Sequence, residues 1–425
     1  MLRVFETFSG VGSQAKALRN TGIDHEIIAT ADWDVSAIIA YDLIHNGQYD
    51  LTILEGYTDK DIDDQLDQYS LSLTGKLPST KKSVRHMNNE LKRLLLSAII
   101  RSNNMVNMTI IKGSDVPNDI DLLTYSFPCQ DLSLCKFWHG DVRGIDRNAQ
   151  SRSGMLWEVE RILQEMYEAG RQLPRFLLME NVSAILNTLN KKNFNEWKSI
   201  LEGLGYVNII YRLNAKDFGI PQNRERAYMI SVRHDGDIKK SNEISEFFNE
   251  LNNIQLPIFT QQAMRRDIRL KDILKLDYNI PAYRIEADES QPNDTESRRR
   301  IYETNVHLLD EHGYPLDIVV NTVTTKQDRH PNSGVIDYNC KSNGASFRYL
   351  TPRECFLLMG FDEADYQILV DNNVPKNKRS MLFSRDKLIK LAGNSIVVDV
   401  LECLFKLIDK ANRTIMEREE VAGNG

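Results

Sequence analysis

The stretch from Asp121 to Ser133, DLLTYSFPCQDLS, most constrains how this chain can fold. It begins with a short apolar segment and continues with residues of high β propensity, and this pattern ends at Pro128. Because proline lacks the N–H that a strand ladder needs and restricts the residue before it, the pattern predicts a buried strand that ends there. Cys129 would then begin the loop at the carboxyl end of this strand, the edge where open α/β sheets bind ligands.

A cysteine in this position has two interpretations. Free cysteines are among the most buried residue types, which favours a structural thiol. The loop position and the polar neighbours of Cys129 favour a reactive thiol instead. The choice depends on the residues that accompany Cys129 elsewhere in the chain.

The composition limits the classes of protein to which the chain can belong. Its 425 residues, 41% of them apolar, suffice for two or three domains with a proper core. Five cysteines without zinc-site spacing predict free thiols in a reducing cytoplasm and no metal. No signal peptide or membrane-length apolar run is present in the sequence, so we expect no membrane partner. The net charge of −7 argues against indiscriminate coating of nucleic acid but permits a local DNA-binding cleft.

The N-terminal region has the pattern of a nucleoside-binding βαβ unit. A predicted strand over residues 2–9 is followed by a turn with Gly10 and Gly12 and then by a helical pattern. About twenty residues after the glycines, a second predicted strand ends at Asp32 and Trp33. An acid at that place can accept hydrogen bonds from both ribose hydroxyls, and an aromatic ring beside it can stack on adenine.

Residues 47–110 are interpreted as an insertion in this α/β core. Seven acids stand against one lysine in residues 50–67, and seven Lys/Arg stand against one Glu in residues 76–101. The basic part predicts a helix that either contacts phosphates or is simply a solvated, charged helix, the more common case.

A second apolar strand, residues 175–182, ends on Glu180, whose carboxylate would point into the same crevice as Cys129. Between the two strands, residues 134–153 are polar and predict a mobile loop over a site, followed by a helix near Gly154. Further on, Arg224 and Arg226 alternate in an extended segment and therefore share one face.

These pieces, in this order, resemble the DNA (cytosine-5)-methyltransferases. The matching motifs span nearly the whole chain and are Phe8-Ser9-Gly10-Val11-Gly12, Pro128-Cys129-Gln130, Glu180-Asn181-Val182, Gln222-Asn223-Arg224-Glu225-Arg226, Arg348-Tyr349-Leu350-Thr351-Pro352-Arg353-Glu354 and Gly393-Asn394-Ser395. The resemblance implies a Rossmann-like α/β fold specific to S-adenosylmethionine-dependent methyltransferases, with a smaller, irregular target-recognition domain. Ser13 departs from the family pattern, which commonly has a glycine in the first turn.

The resemblance also implies the chemistry. Cys129 would add to C6 of a cytosine flipped out of duplex DNA, while Glu180 binds N3 and the exocyclic amine. Arg224 and Arg226 would position the base, and the methyl group of S-adenosylmethionine would pass to C5. The expected catalytic set is therefore Cys129, Glu180, Arg224 and Arg226.

The remaining expected contacts fall into two sets. Those to the methyl donor are Phe8, Gly10, Gly12, Asp32, Trp33, Asp115, Pro128, Leu156, Asn394 and Ser395. Those to DNA are Gln130, Ser133, Asn181, Gln222, Thr322 and Thr324.

The expected organisation is a catalytic domain over residues 1–233, a target-recognition domain over 234–345 and a C-terminal segment, 346–425, that completes the catalytic domain. The expected partners are double-stranded DNA and, functionally, a restriction endonuclease, and we expect a cytoplasmic monomer. From Asn321 to Arg353 there are five Lys/Arg against two Asp, which suits a phosphate-facing surface.

Three alternative functions remain to be weighed. An RNA cytosine-5 methyltransferase of the same fold would keep Cys129 and Glu180 but should lack the long region 234–345. A catalytically silent DNA-binding relative is disfavoured by the intact catalytic set. A dehydrogenase, suggested by the glycine turn alone, would leave the cysteine and glutamate at two strand ends unexplained.

Overall fold

A computed structural model of the chain describes residues 1–128, 152–254, 268–328 and 331–416. The strands in these ranges are β1 (Leu2–Thr7), β2 (His25–Ala31), β3 (Leu122–Tyr125), β4 (Phe176–Val182), β5 (Tyr206–Asn214), β6 (Gln222–Asn223), β7 (Glu225–Arg233), β8 (Val320–Asn321), β9 (Ile336–Asp337), β10 (Phe347–Arg348), β11 (Pro375–Asn377) and β12 (Ser380–Met381). Apart from 3-10 and π turns, the helices are α1 (Ser13–Thr21), α2 (Val35–Asn46), α3 (Asp59–Leu66), α4 (Lys81–Arg85), α5 (Asn89–Arg101), α6 (Leu156–Glu168), α7 (Thr188–Gly203), α8 (Ile238–Ile254), α9 (Leu270–Ile273), α10 (Pro281–Ser290), α11 (Glu296–Thr304), α12 (Pro352–Leu357), α13 (Glu363–Asp371), α14 (Arg385–Asn394) and α15 (Val398–Ala411). In this part of the chain no helix has both the length and the apolar character needed to cross a membrane.

The central sheet has six strands in the order β2-β1-β3-β4-β7-β5. Strands β1 to β4 are parallel to one another, whereas β7 runs antiparallel to both β4 and β5. The chain passes from β1 to β2 on one side and from β3 to β4 on the other, so a topological switch lies between β1 and β3. The predicted Rossmann-like α/β fold is confirmed, and this switch places a crevice at the carboxyl ends of these strands.

Both faces of the sheet are covered, which is why its central strands are apolar throughout. In β1, Val4 packs into the core that includes α1, α2, α5 and α15, while its neighbour Phe5 packs into the core that includes α6 and α7. Leu177 and Leu178 alternate in the same way in β4. Side chains along a strand alternate between the two faces of the sheet. The same alternation decides which side chains at the strand ends point into the crevice.

The insertion folds as helices α3 to α5, with α5 packed on α2. Its acids and bases pair mainly with each other. Arg85 contacts Asp67, and Lys92 lies 2.6 Å from the carboxylate of Asp63. Arg93 and Asp59 form a third pair at 2.9 Å. This pairing favours the interpretation as a charged helix over the interpretation as a phosphate contact.

The region between the motifs at 222–226 and 348–354 is largely irregular. It has a small core of its own, formed by Val335, Ala345, Phe347 and Tyr349. Its first helix, α8, instead contributes buried apolar side chains to the core of the large sheet. Strand β8 pairs in parallel with β6, which ties the region to the segment that leads into β7.

Candidate functional site

A cavity of about 250 Å³ lies at the carboxyl ends of β1 to β4. Of the residues predicted to act, those that line it are Phe8, Gly10, Asp32, Trp33, Pro128, Glu180, Asn181, Arg224, Arg226, Asn394 and Ser395. They come from segments as far apart in the chain as residue 8 and residue 395. The fold therefore brings most of the described donor and catalytic candidates into one cavity, whose two ends are here named the donor end, near Asp32, and the base end, near Glu180.

The donor end is built around the turn after β1. The backbone N–H of Gly10 donates to the Asp32 carboxylate at 3.0 Å, and Gly10 itself has a positive φ of 57°. Gly12 does not line the cavity, but a Cβ there would lie 2.1 Å from Nε2 of His45, so only glycine fits. His45 in turn donates from Nε2 to the Val11 carbonyl, and burial lowers its pKa to about 3, which keeps the ring neutral.

Asp32 directly follows β2, and backbone N–H groups hold its carboxylate in one orientation. Besides the Gly10 bond, its other carboxylate oxygen accepts from the Asp34 N–H at 2.8 Å. Burial raises the pKa of Asp32 to about 6, and the Asp34 charge adds to that rise. Asp32 is therefore ionised at neutral pH and can accept further hydrogen bonds from a ligand.

Asp115 is not part of this wall. It lies outside the cavity lining, and its carboxylate accepts from the Lys112 N–H at 2.9 Å in a local turn. The wall is formed instead by residues 106–109, which follow a short bridge between Asn104 and Thr30 of β2. Because the insertion returns alongside β2, Asn107 lines the cavity, whereas Asp115 does not.

The base end is formed by two adjacent strands. In the β4–β7 register Glu180 lies opposite Tyr228 and Val182 opposite Arg226, so Glu180 and Arg226 are diagonal neighbours. Their closest approach is 3.4 Å, from Arg226 Nε to the Glu180 carboxylate. Burial raises the pKa of Glu180, while the two nearby arginines oppose that rise. Glu180 thus holds a proton more readily than an ordinary glutamate does.

Arg224, although predicted beside Arg226, has a different role in the structure. Its guanidinium donates to the carbonyls of Val323, Gly393 and Ser395 at 2.9 to 3.1 Å. These bonds hold together three segments that are distant in the chain. A Cβ at Gly393 would lie 2.5 Å from the Thr324 backbone, so the glycine of the Gly-Asn-Ser motif permits this close packing.

The described DNA-contact candidates are mostly engaged with the protein backbone. Asn181 is buried and donates to the Phe127 carbonyl at 3.1 Å, which supports the segment leading to Pro128. Gln222 is fully buried, donates to the Leu358 carbonyl and accepts from the Val323 N–H. Thr322 and Thr324 are more accessible, although both hydroxyls donate to nearby carbonyls.

Several expectations fall elsewhere. Cys129, Gln130 and Ser133 lie outside the described residues, as does most of the loop 134–153; Pro128, which precedes Cys129 directly, lines the cavity. Leu156 is fully buried in the core, and the adjacent Met155 lines the cavity in its place.

Sequence reasoning did not single out other lining residues, including Gln14, Asn107, Met108, Thr109, Met155, Ile396 and, from the insertion, Gly75. Most of them come from irregular backbone, where no hydrophobic period indicates the direction of a side chain. Phe8 and Val106 line the cavity with positive φ values of 54° and 64°, unusual for residues other than glycine. Such strain is typical of functional sites, but it is visible only in the structure.

The donor end fits S-adenosylmethionine. Its walls combine a glycine turn that permits close backbone approach, a carboxylate that can accept hydrogen bonds from hydroxyl groups, and the Trp33 ring, a surface on which a planar base can stack. The cavity continues from there to Glu180 and Arg226, so a donor and a base can meet within one space.

Comparisons with known proteins agree with this geometry. The family model described as C-5 cytosine-specific DNA methylase matches residues 87–410. The chain is 33% identical to the orphan methyltransferase M.SssI of Spiroplasma monobiae over 96% of this chain and 97% of that protein. It is 31% identical to the type II methyltransferase M2.ScrFI of Lactococcus lactis subsp. cremoris, over 97% of this chain and all of that protein.

Among solved structures, the S. pombe Dnmt2 methyltransferase matches with a TM-score of 0.56 and 20% identity, covering 96% of this chain and 98% of that one. That likeness supports the fold. Together with the motifs and the cavity, the family match leads to the conclusion that the chain belongs to the C-5 cytosine-specific DNA methylase family and is a DNA cytosine-5 methyltransferase that uses S-adenosylmethionine.

Proposed function

We propose that this enzyme flips one cytosine of a specific double-stranded DNA sequence into the base end of the cavity, where Cys129 is the nucleophile and Glu180 the acid. The observation that carries the proposal is the single cavity that joins the glycine turn and Asp32 to Glu180 and Arg226. Cys129 follows Pro128 of the lining directly in the chain.

The chemistry follows from the electronic structure of cytosine. C5 is too weak a nucleophile to accept a methyl group until a thiolate adds at C6 and makes C5 enamine-like. A free cysteine with a pKa of about 8.5 is only a few per cent thiolate at neutral pH, so positive charge near Cys129 would raise that fraction.

Glu180 makes the addition easier by preventing negative charge from accumulating on the ring. In its protonated form it would donate to N3, and a raised pKa favours that form. Arg226, 3.4 Å from the Glu180 carboxylate, would orient that acid and the base carbonyl oxygen. When bound, S-adenosylmethionine supplies the methyl group that C5 accepts.

Other residues would hold the segments that form the cavity wall in their positions. We propose that Arg224 acts by joining the 323, 393 and 395 segments, which place Asn394 and Ser395 in the cavity wall. We assign target recognition to residues 234–345, supported by the small core near residues 335–349 and by the charge pattern of residues 321–353.

Replacing Cys129 by Ser tests the catalytic assignment. We expect methyl transfer to fall below detection while sequence-specific DNA binding remains, since binding uses other groups. Bisulfite sequencing of DNA from a host that expresses the wild type or C129S reports both the activity and the target sequence. A C129S protein that still methylates would remove the assignment, and methylation of RNA but not DNA would overturn the substrate.

We further propose that the enzyme acts as a cytoplasmic monomer and protects DNA from an endonuclease with the same target. One of the two compared relatives carries the type II name, which supports protection, whereas the other is named an orphan. Light scattering during size exclusion should give about 49 kDa for a monomer. Resistance of host DNA to endonucleases of the mapped target tests protection.

A further inference from the structure

A loop of the insertion, residues 72–76, lies directly beside the donor end of the cavity and is here named the wall loop. The Ser72 N–H donates to the Trp33 carbonyl at 2.8 Å, and the Val35 N–H donates to the Ser72 carbonyl at 3.1 Å. These bonds form a short parallel bridge next to the expected ribose-binding and adenine-binding residues. Gly75, at the tip of the wall loop, lines the cavity.

The wall loop has a defined shape. The Ser72 hydroxyl accepts from the Gly75 N–H at 2.9 Å and donates to the Leu77 carbonyl at 2.6 Å. Gly75 has a positive φ of 64°, and a Cβ there would lie 2.0 Å from Oδ2 of Asp34. Only glycine therefore permits this approach to Asp34.

Lysines from the C-terminal part of the chain hold the wall loop in place. Lys390 donates to the Thr74 carbonyl at 2.6 Å and lies 3.4 Å from the Asp34 carboxylate. Lys387 lies 3.2 Å from the same carboxylate, and Lys376 donates to the Leu73 carbonyl at 3.2 Å. Positions 387, 390, 391 and 394 share one face of α14, and the last two line the cavity.

We propose that the wall loop is the outer wall of the S-adenosylmethionine site and that Lys390 is a positioning residue which holds this wall and Asp34 in place for donor binding. The inference rests on the donor site proposed above, and it gives the insertion a role in that site. Because Lys390 bonds both to the loop backbone and to Asp34, its loss would loosen the wall and leave Asp34 with less compensating charge.

The pH dependence of donor binding should report the contact between Lys390 and the Asp32–Asp34 pair. Lys390 lowers the pKa of Asp32, whereas burial and the Asp34 charge raise it. The titratable groups around Asp32 and Asp34 are Glu6 of β1, which burial keeps mostly protonated at neutral pH, Lys376 of β11, and Lys387 and Lys390 of α14, with Lys76 close to Lys390. Donor binding should weaken as pH falls through about 6 and Asp32 gains a proton. Without Lys390 that weakening should begin at a higher pH.

The test compares Lys390→Met with Lys378→Met in the full-length protein. Lys378 is an exposed lysine of the β11–β12 hairpin, so its variant makes the same charge change away from the cavity. Titration calorimetry with S-adenosylmethionine from pH 5.5 to 8.5 gives the dissociation constant and its pH midpoint. For K390M we expect binding weaker by about tenfold at pH 7.5 and an upward shift of the midpoint. For K378M we expect changes within about twofold.

A K390M protein that matches K378M in both readouts, while the wild type binds donor normally, would overturn the inference. A wild type that binds no donor would instead overturn the donor site itself. Gly75→Ala gives a second, independent perturbation of the wall loop and should weaken donor binding while DNA affinity is unchanged; the strain at this positive φ should also lower its unfolding temperature, so binding is measured well below that temperature. Normal donor affinity in G75A would likewise contradict the proposed wall.

Discussion

Two arginine–glutamate pairs of this protein show how an ion pair that stabilises the fold differs from one that is available for chemistry. Arg348 and Glu354 have no exposed side-chain surface and form two parallel bonds of 2.9 Å. Glu354 also accepts from the N–H groups of Thr351 and Lys275, and Arg348 donates to the Tyr278 hydroxyl. Each oxygen of the Glu354 carboxylate thus has two donors, and Glu354 does not line the cavity that contains Glu180.

Glu180 and Arg226 form a much looser pair. Their single contact is 3.4 Å, their side chains remain 13% and 15% exposed, and both line the cavity. Within the part of the chain that the structure describes, this 3.4 Å contact is the closest one between Glu180 and a charged partner, so the carboxylate can bind a ligand without first breaking a short ion pair. An ion pair by itself therefore does not identify a chemical site. A charged group that lines a cavity and is held only loosely by its partner does.

The largest effect should come from Glu180→Gln. The amide cannot deliver a proton to N3, so kcat for DNA methylation should fall by about 10³-fold, within the usual range for a lost acid. Single-turnover methylation of a duplex with one target site measures this. Thermal unfolding should hardly change, because few bonds to Glu180 are lost. A retained rate would show that another group protonates the ring.

Glu354→Gln should have the opposite profile. Removing one partner of a fully buried pair typically costs about 3–5 kcal/mol, so the free energy of unfolding should fall strongly. Glu243→Gln, in the exposed pair with Lys239, is the control and should cost less than about 0.5 kcal/mol. Urea unfolding distinguishes the two. A similar small loss in both variants would contradict the structural role of the buried pair.

Arg224 and Arg226, two residues of the same motif, should show the same contrast between a structural and a catalytic role. Arg224→Lys removes the fork that reaches three carbonyls and should lower stability by about 1–3 kcal/mol. Arg226→Lys should leave stability nearly unchanged but lower kcat by about tenfold, since an ammonium cannot reproduce the planar contact to Glu180. Parallel kinetics and unfolding measure both effects. If the two variants behaved alike, the division of roles between these arginines would be wrong.

The smallest effect concerns Glu6, a buried acid whose carboxylate accepts from the Tyr41 hydroxyl at 3.0 Å. Burial raises its pKa from 4.5 to about 8. The folded state therefore binds more protons than the unfolded state between these values, and the free energy of unfolding should fall as pH rises through this window. Glu6→Gln should remove about 1–2 kcal/mol of that decline between pH 6.5 and 8. An unchanged slope would contradict the assignment.

The strand-end residues were predictable because each lies where an apolar run stops. Asp32 and Glu180 follow runs that could only be buried strands, and the carboxyl ends of parallel strands meet in one crevice. The different roles of Arg224 and Arg226 were not predictable, since an alternating pattern shows which residues share a face but not what covers that face. The sequence did not show that Asp115 lies outside the cavity lining, because no local pattern indicates that the insertion returns beside β2.

The order and spacing of the motifs in the sequence alone determined the family, the reaction and the strand-end acids, because those depend on short segments whose local pattern is strong. Only the tertiary structure decided which charged groups have close partners and which line the cavity, and that the wall loop lies beside the cavity. The physical reason is that hydrogen-bond satisfaction and burial depend on partners far away in the chain, such as the 169 positions between Arg224 and Gly393.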